Sequence, residues 1–401
     1  MSQDTFRQET FREETFREET RAWLEQNCPP GARGPGEVSN GSTKIKIKDP
    51  DTRLWLERMV AKGWTVPNWP KEYGGGGLST AEFVILIEEM QRIEARPALS
   101  SFGTSMIGPT LLEFGTEEQK QRHLPKIARA EVEWCQGYSE PGSGSDLASL
   151  QTQAVLEGDN YVINGQKIWT SGAHNADWMF ILVRTDKQAP KHEGISFMLL
   201  PMDQTGVKVI PIRLISGEST FNETFFDNAL AVRSDLVGEL NRGWAVGKRL
   251  LQHERSGMES LVSGGASEKS SSLASVARSF LGEVDGKIAN PVTRDEILKY
   301  EMDSVALHLT QRRVVVESMD GATPGPATSI FKVVSTELEQ DYSDLLTRLH
   351  GSRAFGVDDN FSSAEIEMTK RFFFSRAASI YSGSNEIQRN IIAKRVLGLP
   401  D

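Results

Sequence analysis

The sequence predicts an α+β fold in which a β domain lies between two helical blocks. Helical signals fill the first third of the chain, short strand-like runs separated by turn residues follow, and helical signals return between Trp244 and Leu397. We expect a helical domain over 1–132, an antiparallel β domain over 133–240 and a second helical domain over 241–401. A Rossmann unit is disfavoured because no glycine-rich turn joins a strand to a helix in a βαβ context.

The bulk composition argues against several classes of protein. Of the 401 residues, 38% are hydrophobic and 25% are charged, which is the balance of a globular protein. A net charge of −10 argues against a nucleic-acid partner, although a local basic pocket can still hold a small polyanion. No apolar run reaches the roughly 20 residues that span a bilayer, and no secretory signal opens the chain. Cys28 and Cys135 fit a reducing compartment, and no histidine pair has metal-ligand spacing. We expect a cytoplasmic protein that binds no membrane and no metal.

A charged repeat dominates the N-terminus. The TFRxE motif recurs between Thr5 and Glu19, and it predicts a first helix that continues to Asn27 and stops at Pro29. Such a helix is typical of a solvated surface, and we expect it to have no further role.

Two capping boxes mark the beginnings of later helices. Ser79 with Glu82, and Thr116 with Gln119, have the spacing in which the first side chain and the third helical residue cap each other's backbone. We expect the second of these helices to end near Pro125.

The β block contains one hairpin signal and several further strands. Residues 161–163 and 167–169 flank Asn164-Gly165, which predicts two antiparallel strands joined by a tight turn. Four more strands are predicted at 178–183, 195–200, 207–212 and 221–226. After Trp244 the helical signal is interrupted near 282–290 and near 319–326.

Three segments have the composition of ligand-binding elements. Residues 138–150 (YSEPGSGSDLASL) combine glycines, which let backbone N–H groups approach a ligand, with serine hydroxyls, although the segment is also compatible with a plain loop. Trp169 is either a core residue or a flat wall against a planar ring system. Ser384 can begin a terminal helix whose N–H groups bind an oxyanion, or which is merely capped. Its expected apolar face is Ile387, Ile391 and Val396.

In this order and spacing, the three segments resemble the signatures of the acyl-CoA dehydrogenase family. Residues 68–77, 114–127 and 236–244 also fit, so the resemblance covers nearly the whole chain. It implies an N-terminal helical domain, a middle β domain and a C-terminal four-helix bundle, with FAD between the β domain and the bundle. It also implies a tetramer, either a homotetramer or a heterotetramer built as a dimer of dimers.

The resemblance assigns site residues position by position. The flavin contacts correspond here to Tyr138, Ser139, Gly144, Ser145, Trp169, Thr170, Ser171, Ser384 and Glu386. Positions near the thioester and its coenzyme A arm correspond to Ser145, Arg255 and Gly383.

The usual catalytic base is missing from the terminal motif. Many family members place a glutamate where this chain has Ser382, and a serine hydroxyl is too weak a base without an activating partner. Glu386 is a poor substitute, since many members carry a carboxylate there beside the usual base. Glu254 shares a helix face with Gly247, Leu250, Met258 and Leu261, and a carboxylate in an apolar stripe is costly unless it is paired or used.

Glu254 is therefore the candidate base, with a structural salt bridge as the alternative. A minority of the family, including the isovaleryl and long-chain types, resembles this chain in placing its base just before an arginine, here Arg255. The implied reaction is removal of the α-proton by Glu254 and of the β-hydride by the flavin N5, which yields a trans-2-enoyl thioester. The Ser382 N–H would polarise the thioester carbonyl.

Two departures from the family pattern keep alternatives open. Residues 277–282 are the nearest match to a segment that usually reaches a neighbouring subunit's FAD, and residues 348–352 replace a segment that usually touches the pyrophosphate. Arg348 is a candidate phosphate contact. The alternatives are a flavin-dependent lyase, or a subunit of a hetero-oligomer with an incomplete flavin site. Family analogy suggests an electron-transferring flavoprotein as acceptor and a fatty or steroid side-chain acyl group as substrate.

Overall fold

The computed structural model describes residues 3–255, 272–319, 328–358 and 360–400, with side chains described over 11–252, 272–314, 328–358 and 360–400. The chain forms two compact units. The first contains Met1–Ile212 and Ser219–Glu254, and the second contains Arg213–Glu218 and Lys269–Asp401.

The first unit opens with five described helices, of which the sequence predicted the first, third and fifth. They are α1 Gln3–Asn27, α2 Pro50–Lys62, α3 Thr80–Arg92, α4 Gly108–Phe114 and α5 Glu117–Ala128. Both capping boxes form, with Ser79 before α3 and Thr116 before α5. The expected end of α5 at Pro125 is wrong, because the helix continues to Ala128. Burial of Ile127 and Ala128 in the core outweighs the one hydrogen bond that the proline removes.

The charged repeat of α1 does more than cover the surface, so the expectation that it has no further role is wrong. The side chain of Glu89 on α3 is 3% exposed and accepts hydrogen bonds from Arg17 and Arg21 of α1 and from Arg92. The Arg21 hydrogen bond is the largest cause that lowers the pKa of Glu89, to about 2. A buried carboxylate shared by three guanidinium groups therefore holds α1 against α3.

A mixed sheet forms the second half of this unit. Its strands are β1 Trp134–Gly137, β2 Gln153–Glu157, β3 Asn160–Lys167, β4 Trp178–Arg184, β5 Ile195–Pro201, β6 Val207–Ile212, β7 Phe221–Val232 and β8 Leu236–Val237. The order is β6-β7-β3-β2-β4-β5-β8, with β1 parallel to β4. Apart from the parallel pairings of β4 with β1 and with the first residue of β2, neighbouring strands are antiparallel. The predicted α+β class is confirmed.

The hairpin lies elsewhere than predicted. Residues 160–167 form one continuous strand, so Asn164-Gly165 is not a turn; the hairpin joins β2 to β3 around Gly158. The register of β3 against β7 shifts between Ile163 and Gly165, which marks a bulge. A Cβ on Gly165 would lie 2.7 Å from Thr152 Oγ1, so glycine is needed here for close approach. The Asn-Gly pair therefore marks a bulge instead of a turn. The sequence did not predict β1 and β2.

Helix α6, Gly243–Arg255, closes the first unit by packing on the sheet. Leu250 is fully buried in the same core cluster as Phe180 and Phe197. A Cβ on Gly247 would lie 3.1 Å from a methyl group of Leu182, so glycine lets the helix come close. The sequence of α6 therefore fixes how closely its last turns approach the strands.

The second unit is helical, with one small hairpin. Its elements are α7 Leu273–Leu281, β9 Glu283–Val284, β10 Lys287–Ile288, α8 Pro291–Met319, α9 Thr328–His350, α10 Ser363–Ala378 and α11 Asn385–Ile391. The predicted break near 282–290 is the β9–β10 hairpin. Leu273, Ile297 and Tyr342 bring α7, α8 and α9 into one core cluster.

A buried acid before β1 makes the stability of the fold depend on pH. Burial of the Glu133 carboxyl, together with the nearby Asp177, raises its pKa to about 9. In the unfolded chain the same group titrates near 4.5. Between these values the folded protein holds a proton that the unfolded chain has lost, so stability falls as pH rises through this window.

We predict that Glu133→Gln removes this part of the pH dependence. The variant and the original protein should unfold at similar denaturant concentrations near pH 5, and the variant should be the more stable at pH 8.5. Urea unfolding followed by circular dichroism from pH 5 to 9 measures the difference. Parallel stability curves for the two proteins would contradict the buried neutral acid.

Candidate active site

Two of the predicted ligand-binding segments lie side by side in the first unit. Loop 138–146 follows β1, and segment 169–171 follows β3. The Ile168 N–H donates to the Ser139 carbonyl oxygen at 2.9 Å, which ties the two segments together. The sequence predicted both segments, and the structure brings them into contact.

A buried ion pair anchors loop 138–146. Lys167, the last residue of β3, is fully buried, and its Nζ donates to Glu140 Oε1 at 2.8 Å and to the Tyr138 carbonyl oxygen at 2.9 Å. Glu140 also accepts from the N–H groups of Gln151 and Thr152, at 2.6 and 2.8 Å. Burial lowers the pKa of Lys167 to about 8, in spite of its attraction to Glu140. Desolvation opposes ionisation of Glu140, but the Lys167 charge, together with the hydrogen bonds from Lys167, Thr152 and Gln151, holds the pKa of Glu140 below its ordinary value.

Sequence reasoning missed both members of this pair. The available signal was strand alternation, which places Lys167 in register with the buried side chains of Tyr161 and Ile163. A lysine on the buried face of a strand requires a partner, and Glu140 in the adjacent loop is that partner.

Trp169 is a surface residue, so its interpretation as a core tryptophan is wrong. Its indole is 53% exposed and contacts Phe221 edge-on, with the ring centroids 6.0 Å apart. Its φ of +60° is a conformation that few non-glycine residues adopt. The structure therefore leaves one face of a large aromatic ring available to a planar ligand.

Thr170 holds this turn in place through hydrogen bonds of its side chain and its backbone. Its hydroxyl donates to the Asn222 carbonyl oxygen at 2.9 Å or pairs with the Thr224 hydroxyl at 2.8 Å. Its N–H donates to the same Asn222 carbonyl, and the Asn222 side-chain amide donates to the Thr170 carbonyl oxygen at 2.8 Å. Every polar group of the buried Thr170 is thus used within the protein.

The Tyr138 side chain is anchored in the core. Its ring is buried edge-on against Phe180 and Phe197, and its hydroxyl faces the Gly247 carbonyl oxygen at 3.5 Å. A ligand could meet only its backbone, whose carbonyl oxygen already accepts from Lys167. Tyr138 follows β1 directly and continues its alternation on the side of the buried Trp134, which accounts for the burial of the ring in the same core cluster.

The remaining groups of the two segments fit a flavin. The hydroxyls of Ser139, Ser145 and Ser171, and the N–H groups of Gly144, Ser145 and Ser171, have no hydrogen-bond partner within the part of the chain that the structure describes. A Cβ on Gly144 would meet no atom within 4 Å, so the loop edge is open. Unsatisfied donors beside an exposed indole suit a planar ring system that carries polar edges and a pyrophosphate.

Gln136 is a further residue that sequence reasoning missed. Its Nε2 is buried without a hydrogen-bond partner among the described residues. It stands on β1 two residues before Tyr138, so strand alternation places it on the same face. A buried amide donor without an acceptor normally signals an unseen partner, such as a ligand or water.

The candidate base lies at the edge of the described side chains. Glu254 and Arg255 form the last two positions of α6, and helical periodicity keeps Glu254 on the face of Gly247 and Leu250. The side chains of Glu254 and Arg255 lie outside the described residues, as do Met258 and Leu261, which were expected to continue the apolar stripe.

The terminal motif has an unusual backbone in the second unit. Ser382 and Gly383 both have positive φ, at +54° and +85°, and Ser384 occupies the N-cap position of α11 as predicted. The Ser384 side chain makes no capping hydrogen bond to the backbone. A hydrogen bond from its own N–H, followed by one from Ser384, lowers the pKa of Glu386.

The predicted apolar face of this terminal helix is wrong. Ile387 and Val396 are exposed, and the buried α11 residues are Asn385 and Gln388. The Thr336 hydroxyl donates to Asn385 Oδ1 at 3.1 Å, so a polar contact with α9 positions the helix. Hydrophobic periodicity could not find a helix held by amide side chains.

The two segments that depart from the family pattern, 277–282 and 348–352, each contain an arginine that forms an ion pair. Arg348 Nη1 lies 2.9 Å from Glu296 Oε1, and its side chain is 59% exposed, so its charge is already matched. Arg278 pairs with Glu283 at 3.0 Å. No cluster of three or more His, Cys, Asp or Glu side chains suited to a metal occurs among the described residues.

Comparisons with known proteins identify the family. Models of the acyl-CoA dehydrogenase N-terminal, middle and C-terminal domains match residues 10–131, 135–229 and 241–397. The chain therefore belongs to the acyl-CoA dehydrogenase family, whose members are FAD-dependent oxidoreductases. Within the described ranges, no helix combines the length and apolar character needed to cross a membrane.

Individual relatives cover almost the full chain. It is 40% identical to acyl-CoA dehydrogenase IpdE1 of Mycobacterium tuberculosis over 387 residues, which are 95% of this chain and 96% of the relative. A solved structure titled Tcur3481-Tcur3483 steroid ACAD matches with 31% identity and a TM-score of 0.77, over 97% of both chains. The ChsE4-ChsE5 complex from Mycobacterium tuberculosis matches with 29% identity and a TM-score of 0.73, over 97% of this chain and 98% of that one.

We predict that Asn222→Ala loosens segment 169–171 and destabilises the fold. Removing the amide leaves the buried Thr170 carbonyl with only the longer hydrogen bond from the Ala173 N–H, at 3.3 Å, which should cost about 0.5–1.5 kcal/mol of unfolding free energy. Urea unfolding measures this loss. Asn160→Ala is the matched control, since its side chain makes no hydrogen bond within the described residues, and an equal loss in both variants would contradict the assigned role.

Proposed function

We propose that this chain catalyses the FAD-dependent α,β-dehydrogenation of an acyl-CoA thioester to a trans-2-enoyl-CoA. The observation that carries the proposal is the joining of loop 138–146 to segment 169–171, with an exposed indole and unsatisfied donors, in a chain of this family. Bound FAD would supply a two-electron acceptor for the hydride of the substrate β-carbon.

The residues proposed to hold FAD are those with an exposed ring or with hydrogen-bond donors that have no partner among the described residues. Trp169 offers a flat apolar surface that excludes water from one side of a planar ring. Ser139, Gly144, Ser145 and Ser171 offer hydroxyl or N–H donors for polar ring edges and phosphate oxygens. By family resemblance Ser384 and Glu386 contribute at the start of α11, and Ser145, Arg255 and Gly383 contact the substrate.

Glu254 is proposed as the base that removes the α-proton. The buried Leu250, one turn earlier in α6, fixes the helix, and the close approach at Gly247 sets its distance from the sheet. A carboxylate can accept a proton without an activating partner, in contrast to the hydroxyl of Ser382. The Ser382 N–H, in its left-handed conformation, is proposed to donate to the thioester carbonyl, a role that is independent of the side chain.

We predict that Glu254→Gln retains FAD but loses reactivity. Removing a general base should slow flavin reduction by an acyl-CoA about 10²–10⁴-fold, because the amide cannot accept the α-proton. Anaerobic stopped-flow bleaching of the flavin absorbance measures the rate. Glu239→Gln changes an exposed glutamate just before α6 and should react like the original protein. Full activity of Glu254→Gln would remove the assignment, and turnover without an electron acceptor would favour the lyase alternative.

The substrate is proposed to be a bulky acyl-CoA of the steroid class. The support is the 31% identity to a protein titled steroid ACAD, together with a base carried by α6 instead of the terminal motif. A panel of short, branched, long and steroid-linked acyl-CoA thioesters tests this, with the rate of flavin reduction as the readout. An electron-transferring flavoprotein is proposed as the acceptor by family resemblance.

An oligomer is proposed from an exposed apolar stripe on α8. Leu298, Met302, Val305 and Leu309 are 50–69% exposed and recur at intervals of four, three and four residues. Such a stripe on one helix face is typical of a subunit interface. Either a homotetramer or a heterotetramer would cover it, and the relative titled as the ChsE4-ChsE5 complex supports the second arrangement.

We predict that Met302→Glu combined with Leu309→Glu dissociates the assembly. Two carboxylates in a desolvated stripe would be unpaired, so the mass from light scattering should fall toward one chain of 44.5 kDa. Glu301→Ala, an exposed position on the same helix, should leave the mass unchanged. An unchanged mass in the double variant would place the interface elsewhere.

A further inference from the structure

We infer that Lys167 and Glu140 are positioning residues for FAD, which hold both halves of the proposed binding surface in one geometry. The inference rests on the proposed function. Neither side chain is available to a ligand, since Lys167 is fully buried and Glu140 is 8% exposed. They act through the backbone of the residues that are available.

The geometry gives the pair three attachments. Glu140 stands near the beginning of loop 138–146, and its carboxylate accepts from the N–H groups of Gln151 and Thr152, which lie beyond the loop's end. One side chain therefore closes the loop on itself. Lys167 adds the second attachment, because its ammonium binds the Glu140 carboxylate and the Tyr138 carbonyl oxygen.

The third attachment runs through the chain itself. Lys167 is the last residue of β3, so the next four positions are Ile168, which donates to Ser139, and segment 169–171. A movement of Lys167 would displace Trp169 and Ser171 on one side and Ser139 on the other. The positions of the exposed indole and of the serine hydroxyls therefore both depend on Lys167.

Stability alone does not require charges at these positions. Two apolar side chains of similar volume can replace a buried ion pair without loss, and sometimes with a gain in stability. They cannot, however, donate to the Tyr138 carbonyl or accept from Gln151 and Thr152. If the pair positions the loop, FAD affinity and fold stability should respond differently when both charges are removed.

The experiment compares four variants of the full chain with the original protein. Glu140→Met and Lys167→Met each leave one buried charge or its partner groups unmatched, and the double variant Glu140→Met/Lys167→Met leaves no lone charge. Asp235→Asn is the matched control, because it breaks the buried Arg122–Asp235 pair of the same unit, outside both segments. The readouts are the thermal midpoint of the apoprotein, the dissociation constant of FAD and the visible absorption bands of bound FAD.

We expect the single variants to lose both stability and FAD affinity, the latter tenfold or more. The double variant should recover most of the stability while its FAD affinity stays at least tenfold weaker and its absorption bands stay shifted. Asp235→Asn should lose stability and keep its FAD affinity. If either single variant does not fold, the double variant and the control still decide the question.

The opposite pattern would overturn the inference. FAD affinity that follows stability across all four variants, with full recovery in the double variant, would make the pair purely structural. Failure of the original protein to bind FAD would instead reject the proposed function. The two failures are therefore distinct.

Discussion

The contact between the Lys167 ammonium and the Glu140 carboxylate is the constraint on which the candidate site depends. It lies where burial leaves no water to replace it, so each charge requires the other. The pair also satisfies a carbonyl and two N–H groups of the surrounding backbone. A loop rich in glycine and serine, which would otherwise sample many conformations, is thereby held to the end of a strand. The N–H groups of Gly144 and Ser145 in this loop have no partner among the described residues.

The exposed indole of Trp169 follows from a second local constraint. A non-glycine residue at positive φ carries a strain of order 1–3 kcal/mol, so the surrounding hydrogen bonds must maintain it. Thr170 and Asn222 do so by exchanging hydrogen bonds through backbone and side-chain groups. Strain of this kind persists where neighbouring structure over-determines a conformation, and such places are common at ligand sites. The flat surface and the serine donors beside it therefore depend on buried residues that no ligand would touch.

The sequence predicted those features whose causes are local. Both capping boxes depend on residues three positions apart, and the α+β order depends on patterns within single elements. The family follows from motifs in a fixed order, and the domain models that match the chain confirm it. The residues proposed to carry the chemistry, Glu254 and Ser382, remain predictions.

The errors arose where distant contacts outweigh local preference. Asn164-Gly165 has the composition of a turn, but the approach of Thr152 makes it a bulge. Pro125 would end an isolated helix, whereas burial of Ile127 carries α5 onward. The ion pair of Lys167 and Glu140 joins residues 27 positions apart, so no motif could reveal it. Only strand alternation indicated that the lysine is buried.

Hydrogen–deuterium exchange on the chain with and without FAD tests the central claim most directly, because it reports on individual backbone N–H groups. Bound FAD should slow exchange at Gly144, Ser145 and Ser171, whose N–H groups have no partner within the described residues. The N–H groups of Gln151 and Thr152, already bound to Glu140, should be protected in both states. Tight FAD binding without any change at loop 138–146 and segment 169–171 would show that the cofactor lies elsewhere and would contradict the account.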